Sequence, residues 1–465
     1  MRLSLRHIAL VAGLSASGCA TVDPRPGFEE VSRTVAERTG MQVVWDAGAP
    51  EDEAIRSMVD RTLAAPIDEA AAVQVALLCN RSLRAVYEEL AVAQADVVQA
   101  GLLRNPVFDV AVLLPDGGGQ TSLAFALTQS FLETFQIPLR KRLAETEYEV
   151  AKLRVTEAVV AHVAATRKTF HALVAAERLA LLGRSEQEAA EAAAELARRL
   201  RAAGNITSIE LVERETTLVE TALEVARKEA MAALLRERLN VAMGLHGART
   251  AWTTAGEAAP PEASRIELPE IERRAVEANF DLAALRRAIE REALALGIER
   301  PAALLGDLTL GVGIERDFGD PWQIGPVGSI AIPIFDQGQA TVARGEARLR
   351  AALERFAAEA VAVRAAARAA GTLAMLAEQR VTNARTKLVP LRNQAFEESQ
   401  RRFGSMQIGT FELLQARLAQ IAAQRIEVIA LRDAWLARCD LDAVLAGQVG
   451  GLLGAAIFDG VEAGG

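Results

Sequence analysis

The side chains that most often carry chemistry are few in this chain of 465 residues, and they are scattered along it. None of the histidines and cysteines has a neighbour at the spacing of a zinc or iron–sulfur site. No nucleophile stands out beside a base, and no paired carboxylates stand out from ordinary helix charges. The sequence therefore predicts no metal site, no cofactor and no enzyme activity. The residues concerned are His7, His162, His171, His246, Cys19, Cys79 and Cys439.

Cys19 is the exception, because its surroundings predict a covalent modification. A positively charged start precedes a short apolar run, 8–14, and small residues lead up to the cysteine. The run is far shorter than the about 20 residues that span a bilayer, so it predicts a removable signal over residues 1–18. The small-small-Cys ending resembles a bacterial lipoprotein box, which implies a lipidated Cys19 at the mature N-terminus and, with Ala20 next, an outer-membrane location. Ordinary signal cleavage beside a chance cysteine is the alternative.

The composition predicts a helical interior built from small side chains. Hydrophobic residues make up 51% of the chain, but aromatic residues only 4%. Cys79 and Cys439 lie in helical patterns, where a small buried side chain is the default interpretation and a disulfide between them stays open. The net charge of −9 leaves no basic excess to release counterions, so nucleic-acid binding is excluded as the main role.

One pattern of elements occurs twice along the chain. Each copy predicts a helix, two strands, a very long helix and a return helix. The first copy covers residues 67–256 and the second covers residues 257–449, with an extended N-terminal segment, 19–66, before them and a loose tail, 450–465, after them. The predicted strands are 107–114, 122–129, 307–314 and 327–334, and the predicted long helices are 140–202, 208–245, 337–402 and 410–447.

The predicted strands alternate apolar residues with small or polar ones. In the third strand, Leu310 and Val312 alternate with glycine, and in the second strand Phe125 lies between two alanines. This alternation suits either a sheet on a soluble core or the wall of a membrane barrel. Proline cannot donate a hydrogen bond to a strand ladder but fits a helix start, so Pro138 and Pro333 predict the points where strand changes to helix.

Each long helix is predicted to reverse direction at a short turn that contains glycine. Glycine permits the reversal and the close approach of another backbone. One helical turn further on lie Glu210 and Glu412, for which a solvated helix surface is the ordinary interpretation. The turn residues are Gly204, Asn205, Thr207 and Ser208 in the first copy, and Gly409 and Thr410 in the second.

Four strands cannot close a barrel in a membrane, because the open edges would leave backbone groups unpaired in lipid. Three copies of the chain would supply an even twelve strands, which predicts a joint barrel. A lipid-anchored coiled-coil protein with two small hairpins is the structural alternative. A periplasmic adaptor is another, but adaptors have one helical hairpin beside a small β-domain, whereas this sequence predicts two.

The order of elements and four motifs resemble the TolC family of outer-membrane efflux channels. The resemblance covers about residues 67–448 and implies a mainly helical fold with a small β part. It implies a trimer with a twelve-strand transmembrane β-barrel continued by a twelve-helix periplasmic α-barrel. The motifs are AQADVVQAGLLRNP (93–106), AELARRLRAAGNITSIEL (194–211), IPIFDQGQ (332–339) and MQIGTFELLQAR (406–417).

The resemblance also implies partners. A channel of this family is a passive conduit in outer-membrane lipid, docked to a periplasmic adaptor that links it to an inner-membrane transporter. The turns that hold Gly204 and Gly409 match the docking tips by position. Glu210 and Glu412, one helical turn past these tips, are the nearest candidates for acidic residues at the mouth of such a pore. The exported compound is not implied by the sequence, and a preference for metal export rests on overall likeness only.

Overall fold

The computed structural model describes residues 22–449 except for 46–50, 115, 117–120, 131, 257–258, 262–266, 306–307, 331 and 333. The predicted signal over 1–18, Cys19, Pro333 and the predicted tail over 450–465 lie outside the described residues.

The first half of the chain contains six α-helices, one short 3₁₀ helix (Gly247–Thr250) and two strands among its described residues. Two of these helices lie within the segment 19–66 that was predicted to be extended, so that prediction was wrong. Both helices are short and amphipathic, with Val31 and Val35 buried in one and Val59 and Leu63 buried in the other, so the helical spacing was present but extended over too few turns to stand out beside the prolines and glycines of the segment. The elements are α1 (Arg25–Thr39), α2 (Glu51–Leu63), α3 (Glu69–Cys79), α4 (Arg81–Gly101), β1 (Val107–Leu113), β2 (Ser122–Ser130), α5 (Leu132–Ala202) and α6 (Ser208–Met243).

The second half repeats this order from helix pair to helical hairpin. Its long helix is interrupted by one π-helical turn, Ala384–Leu388, whereas α5 continues without such an interruption. The elements are α7 (Leu268–Ala278), α8 (Phe280–Leu305), β3 (Leu308–Asp317), β4 (Gln323–Ile330), α9 (Gln339–Asn383), α10 (Val389–Gly404) and α11 (Thr410–Leu445).

The four strands form one antiparallel sheet in the order β1-β2-β3-β4. β4 begins at Gln323 and ends at Ile330, earlier than the predicted 327–334. The prediction excluded Pro326 from the strand, but Pro326 pairs with Val312. Because β4 is an edge strand, a missing N–H there need not remove a ladder hydrogen bond.

Pro138 is not where strand changes to helix. β2 ends at Ser130 and α5 begins at Leu132, so Pro138 lies inside the helix, about two turns from its start. A proline inside a helix lacks one N–H donor and is costly there. The prediction placed Pro138 at the first turn, where the missing donor has no cost.

The chain divides into two compact units, and each draws on both copies of the repeat. One unit comprises residues up to 31 with 86–155 and 281–359, and it holds the whole sheet. The other comprises 32–85, 156–280 and the residues from 360 onward. The two predicted copies, 67–256 and 257–449, are therefore not separate compact bodies.

The second unit contains a hydrophobic core between α2, α3, α5 and α6. Its side chains include Ile67, Leu173, Leu239, Met243 and Trp252, none more than 3% exposed. The indole Nε1 of Trp252 donates to the Asn240 side chain at 2.8 Å, so this buried polar group is paired.

Among the described helices, one stretch has the length and composition that would allow it to cross a membrane. The stretch is Gln339–Gly404, and 39% of its most apolar 18-residue window is buried. The core helix of a soluble protein has the same properties, so no membrane role is assigned to it.

Candidate functional site

One face of the sheet is apolar from edge to edge. The strand register places Val110, Phe125, Ile314 and Ile324 side by side in one row, which confirms the predicted alternation. Val110 is 55% exposed and Ile324 is 71% exposed. A continuous apolar face that is this exposed requires a cover other than water. Lipid or another apolar surface is therefore the natural neighbour of this face.

The opposite face is small and polar. Two of its rows contain alanine and glycine together with Asp109, Glu315 and Gln323. These residues line a shallow depression of about 360 Å³. A side chain on Gly311 would collide with the backbone carbonyl of Leu127, so this position on the polar face requires glycine. The small side chains leave space above the sheet, and the carboxylates suit contact with water.

Both edges of the sheet are open. β1 pairs only with β2, and β4 pairs only with β3, among the strands of the described chain. Each edge therefore presents backbone N–H and C=O groups that can pair with a further strand. In lipid such groups must be paired, because water is absent.

The first helical turn predicted as a tip is stabilised by its own residues. Gly204 has φ +78°, a left-handed conformation that suits glycine. The Thr207 side chain accepts from the Glu210 backbone N–H at 3.2 Å, and the Glu210 carboxylate accepts from the Thr207 N–H at 2.7 Å. These two bonds form a capping box at the start of α6. The bonds from Thr207 lower the pKa of Glu210.

The second turn has the same shape but lacks this support. Met406 occupies the left-handed position with φ +58°, and its side chain is 94% exposed. Gly409 is the N-cap of α11 and has no side chain to cap the helix. Glu412 lies in the first turn of α11, and its side chain makes no hydrogen bond or ion pair with the described residues. Thr410 is the first residue of α11.

The helix that leads to the second turn is also interrupted. Ala384–Leu388 form a π-helical turn, in which the Val389 N–H reaches back to the Ala384 carbonyl. Pro390 follows at once, at the start of α10. Proline removes one helical hydrogen bond and crowds the preceding turn, which is a usual cause of such an interruption.

Two histidines of the long helix α5, one buried and one half-buried, have structural partners. His171 Nε2 lies 2.7 Å from a Glu69 carboxylate oxygen, and its ring stacks on Trp435 at 4.1 Å. Burial opposes the ionisation of Glu69, but the bonds from His171 and Arg167 outweigh it and lower the pKa of Glu69. His162 Nε2 lies 2.9 Å from a backbone carbonyl oxygen, and burial lowers its pKa. Within the described residues, no three His, Cys, Asp or Glu side chains form a group that could hold a metal ion.

Cys79 and Cys439 are free thiols in the structure, with no disulfide between them. Burial raises the pKa of Cys439 to about 12, and burial also raises the pKa of Cys79. Both thiols therefore stay protonated and unreactive at neutral pH. Their role is packing, as small hydrophobic side chains.

Sequence reasoning missed the role of Arg38. One of its terminal nitrogens donates to the Ala278 carbonyl at 2.6 Å and to the Ala446 carbonyl at 2.7 Å. These carbonyls belong to the C-terminal ends of α7 and α11, so one cation satisfies two helix ends. The guanidinium also lies 4.2 Å above the Phe280 ring. Burial lowers the pKa of Arg38. The sequence carried no signal for this contact, because it joins distant segments.

The comparisons with known proteins agree with this architecture. No protein-family model matches the chain. The cobalt-zinc-cadmium resistance protein CzcC of Cupriavidus metallidurans is 26% identical over 289 residues, which is 60% of this chain and 66% of CzcC. The match thus spans just under two thirds of that relative's length.

Two solved structures share the fold over most of their length. The outer-membrane channel CmeC of Campylobacter jejuni matches with a TM-score of 0.67 at 13% identity, covering 93% of each chain. CusC, whose structures follow folding and transmembrane channel formation, matches with a TM-score of 0.66 at 14% identity, covering 82% of this chain and 92% of CusC.

A duplicated helical hairpin joined to a four-stranded sheet with one apolar face defines the class of the molecule. The chain has the fold of the TolC-type outer-membrane efflux channels, to which CmeC and CusC belong. The proteins it is similar to are channels and a metal-resistance protein, not enzymes.

Proposed function

We propose that the chain is the outer-membrane channel subunit of a tripartite efflux system. Three copies would form a passive conduit from the periplasm to the exterior. Each copy would contribute four strands to a twelve-strand β-barrel in the membrane and four helical segments to a twelve-helix α-barrel in the periplasm. The function of the chain would be to provide a path, while a partner transporter supplies the energy.

The open edges of the sheet carry this proposal. A four-stranded sheet with an exposed apolar face cannot remain alone in lipid, because its edge groups would be unpaired. Pairing β4 of one copy with β1 of the next satisfies both edges and continues the apolar face around a closed wall. The small residues and carboxylates of the other face would then line a water-filled interior.

The helical part offers a matching surface for neighbouring copies. Along α6 an apolar stripe stays exposed at spacings of three, four, seven and eight residues, which keep it on one side of the helix. An uncovered stripe of this length suits packing against a helix of a second copy. Its residues are Ile209 (69% exposed), Val212 (58%), Val219 (60%), Leu223 (67%), Met231 (49%), Leu234 (48%) and Val241 (74%).

The two helical turns are the proposed docking points for a periplasmic adaptor. Gly204, Asn205, Thr207 and Ser208 would form one tip, and Gly409 with Thr410 would form the other. The carboxylate of Glu210 already belongs to a cap, which favours a structural role for it.

The side chain of Glu412 takes part in no helix cap, so Glu412 is the better candidate for an acidic residue at the pore mouth.

We also propose that Cys19 is lipidated and anchors the mature chain in the outer membrane. The support is the short apolar run and the small residues that precede the cysteine. The lipid would hold the N-terminus at the membrane surface. The large helical part would extend into the periplasm, where the adaptor and the transporter complete the system.

Metal cations are the first class of exported substrate to test. The support is the similarity to a protein named for cobalt, zinc and cadmium resistance. A strain without the gene should grow less well at raised concentrations of these three metals, and the plasmid-borne gene should restore growth. Unchanged tolerance of all three metals, with the protein present in the membrane, would redirect the search to other compounds.

The mass of the purified protein tests the channel proposal directly. The mature chain is extracted in detergent, and light scattering gives the protein mass after the detergent contribution is subtracted. We expect about three times the mass of one chain, because edge pairing requires neighbouring copies. A monomer that stays dissolved without detergent would contradict the proposal and favour a lipid-anchored coiled-coil protein.

A further inference from the structure

The two strand pairs contain a single positively charged residue. In the segments 107–130 and 308–330 this residue is Arg316, near the end of β3. The remaining charges in these segments are negative, so a cation at this position stands out. The acidic residues of the two segments are Asp109, Asp116, Glu315, Asp317 and Asp320.

The strand register places Arg316 on the apolar face. Arg316 is paired with Leu123, and the next pair on the same face is Ile314 with Phe125. The flanking acids Glu315 and Asp317 point to the opposite, polar face, because side chains alternate along a strand. The end of the apolar face therefore carries a positive charge without an acidic strand neighbour on that face.

An exposed aromatic ring lies beside this charge. The guanidinium carbon of Arg316 lies 5.6 Å from the centre of the Trp322 ring. Trp322 is 47% exposed and stacks on Phe125 with ring centres 6.3 Å apart. Phe318, in the adjoining turn, is 55% exposed. Exposed aromatic rings beside the end of an apolar strand face are typical of the level where lipid headgroups begin.

The guanidinium of Arg316 has N–H donors that are not used within the described residues. Its Nε donates to the Asp320 backbone carbonyl at 3.0 Å, which fixes the plane of the guanidinium. Its two terminal nitrogens have no acceptor in the part of the chain that the structure describes. Two parallel N–H donors on a fixed plane match the oxygens of a phosphate group.

We propose that Arg316, held by Trp322 and the Asp320 carbonyl, binds the phosphate group of a membrane lipid headgroup at the rim of the sheet. This inference rests on the proposed placement of the sheet in the outer membrane. The apolar face below would contact the acyl chains of the same lipid, while the guanidinium contacts its phosphate. The site would fix the depth at which the barrel sits in the membrane.

Lipid binding to the purified trimer tests the site. The full mature protein in detergent is titrated with lipid A that carries two phosphates, and with the same lipid after its phosphates are removed. Native mass spectrometry counts the bound lipids. We expect tighter binding of the phosphorylated lipid, and Arg316→Gln should weaken that binding about fivefold, the usual effect of one cation at a membrane surface.

Two further variants separate charge from geometry. Arg348→Gln removes the same charge from an exposed position on α9 and should leave lipid binding unchanged. Arg316→Lys keeps the charge but loses the planar pair of donors, so we expect an affinity between those of the wild type and Arg316→Gln. The Arg316→Lys variant also tests the site if Arg316→Gln does not assemble into a trimer.

Three results would overturn the inference. They are an unchanged affinity in both Arg316 variants, equal binding of the lipid with and without phosphates, and full displacement of the lipid by millimolar inorganic phosphate. The last result would indicate a site for free phosphate instead of a lipid headgroup. The oligomeric mass is measured for every sample. A trimer with any of these results rejects only the lipid site, whereas a wild-type chain that forms no trimer rejects the proposed channel as well.

Discussion

The two helical turns reverse the chain with the same backbone conformation, but glycine occupies a different position in each. In the first turn glycine occupies the left-handed position at Gly204 and a capping residue begins the next helix at Thr207. In the second turn Met406 occupies the left-handed position and Gly409 begins the next helix. The first turn is thus supported by its own sequence. The residues of the second turn do not favour its conformation, which is held by the helical hairpin around it. We therefore expect local unfolding to be easier at the second turn than at the first.

The free-energy costs of the two residue differences indicate which one weakens the second turn more. A left-handed conformation costs an L-residue about 1–2 kcal/mol, and glycine avoids this cost. A glycine N-cap in place of threonine costs only about a few tenths of a kcal/mol. The strain at Met406 is therefore the main weakness of the second turn, and the missing cap at Gly409 is secondary.

Exchanging the left-handed residues should give the largest effect. Gly204→Met should reduce the free energy of local opening at the first turn by about 1–2 kcal/mol, because it adds left-handed strain. Met406→Gly should raise that free energy at the second turn by a smaller amount, since glycine also adds freedom to the unfolded chain. Hydrogen exchange of the turn amides in the full-length protein measures both. Unchanged protection at both turns would remove the basis of the comparison.

Removing the cap from the first turn should have the next largest effect. Thr207→Ala should weaken the start of α6 by about 1 kcal/mol, because the Glu210 N–H loses its acceptor. Thr217→Ala is the matched control, since Thr217 lies inside α6 and its hydroxyl donates only to the backbone of the preceding turn. Exchange at residues 207–212 should rise in the first variant alone. A similar rise in both variants would show that the cap has no special role.

Acidification should give the smallest effect and should separate the two turns. The pKa of Glu210 is lowered in the folded chain by its bonds to Thr207. Its contribution to stability is therefore complete above the ordinary glutamate pKa of about 4.3 and is lost as the pH falls through the lower, folded value.

The protection of the first turn's amides against hydrogen exchange should decrease below about pH 4, after correction for the intrinsic exchange rate. The second turn should change less, because Glu412 forms no capping bond. Equal pH dependence at the two turns would contradict the assigned role of Glu210.

The sequence predicted the features that repeat or alternate. The duplication places both strand pairs and both helical hairpins, and alternation along the second and third strands predicts the apolar face that the register confirms. These signals are strong because each is spread over many residues. A periodic pattern remains visible even where single residues depart from it.

The sequence could not predict features that depend on single residues in a tertiary context. Pro326 is tolerated in β4 because that strand is at an edge, and Pro138 is tolerated inside a long helix. Met406 has a left-handed backbone that its residue type does not favour. The position of Arg316 beside Trp322 follows from the register of two strands, which residue types alone do not fix.

The double contact of Arg38 has a consequence for the order of folding. Its two carbonyl partners lie 240 and 408 residues further along the chain. A ribosome releases the N-terminal segment long before either partner exists, so α1 must wait through nearly the whole of synthesis for its final contacts. Closure of so long a loop is entropically slow, which makes the docking of Arg38 a late step. A chain that stops short of Ala446 would leave Arg38 without one of its two acceptors. The last contact of α1 therefore forms only when α11 has been completed.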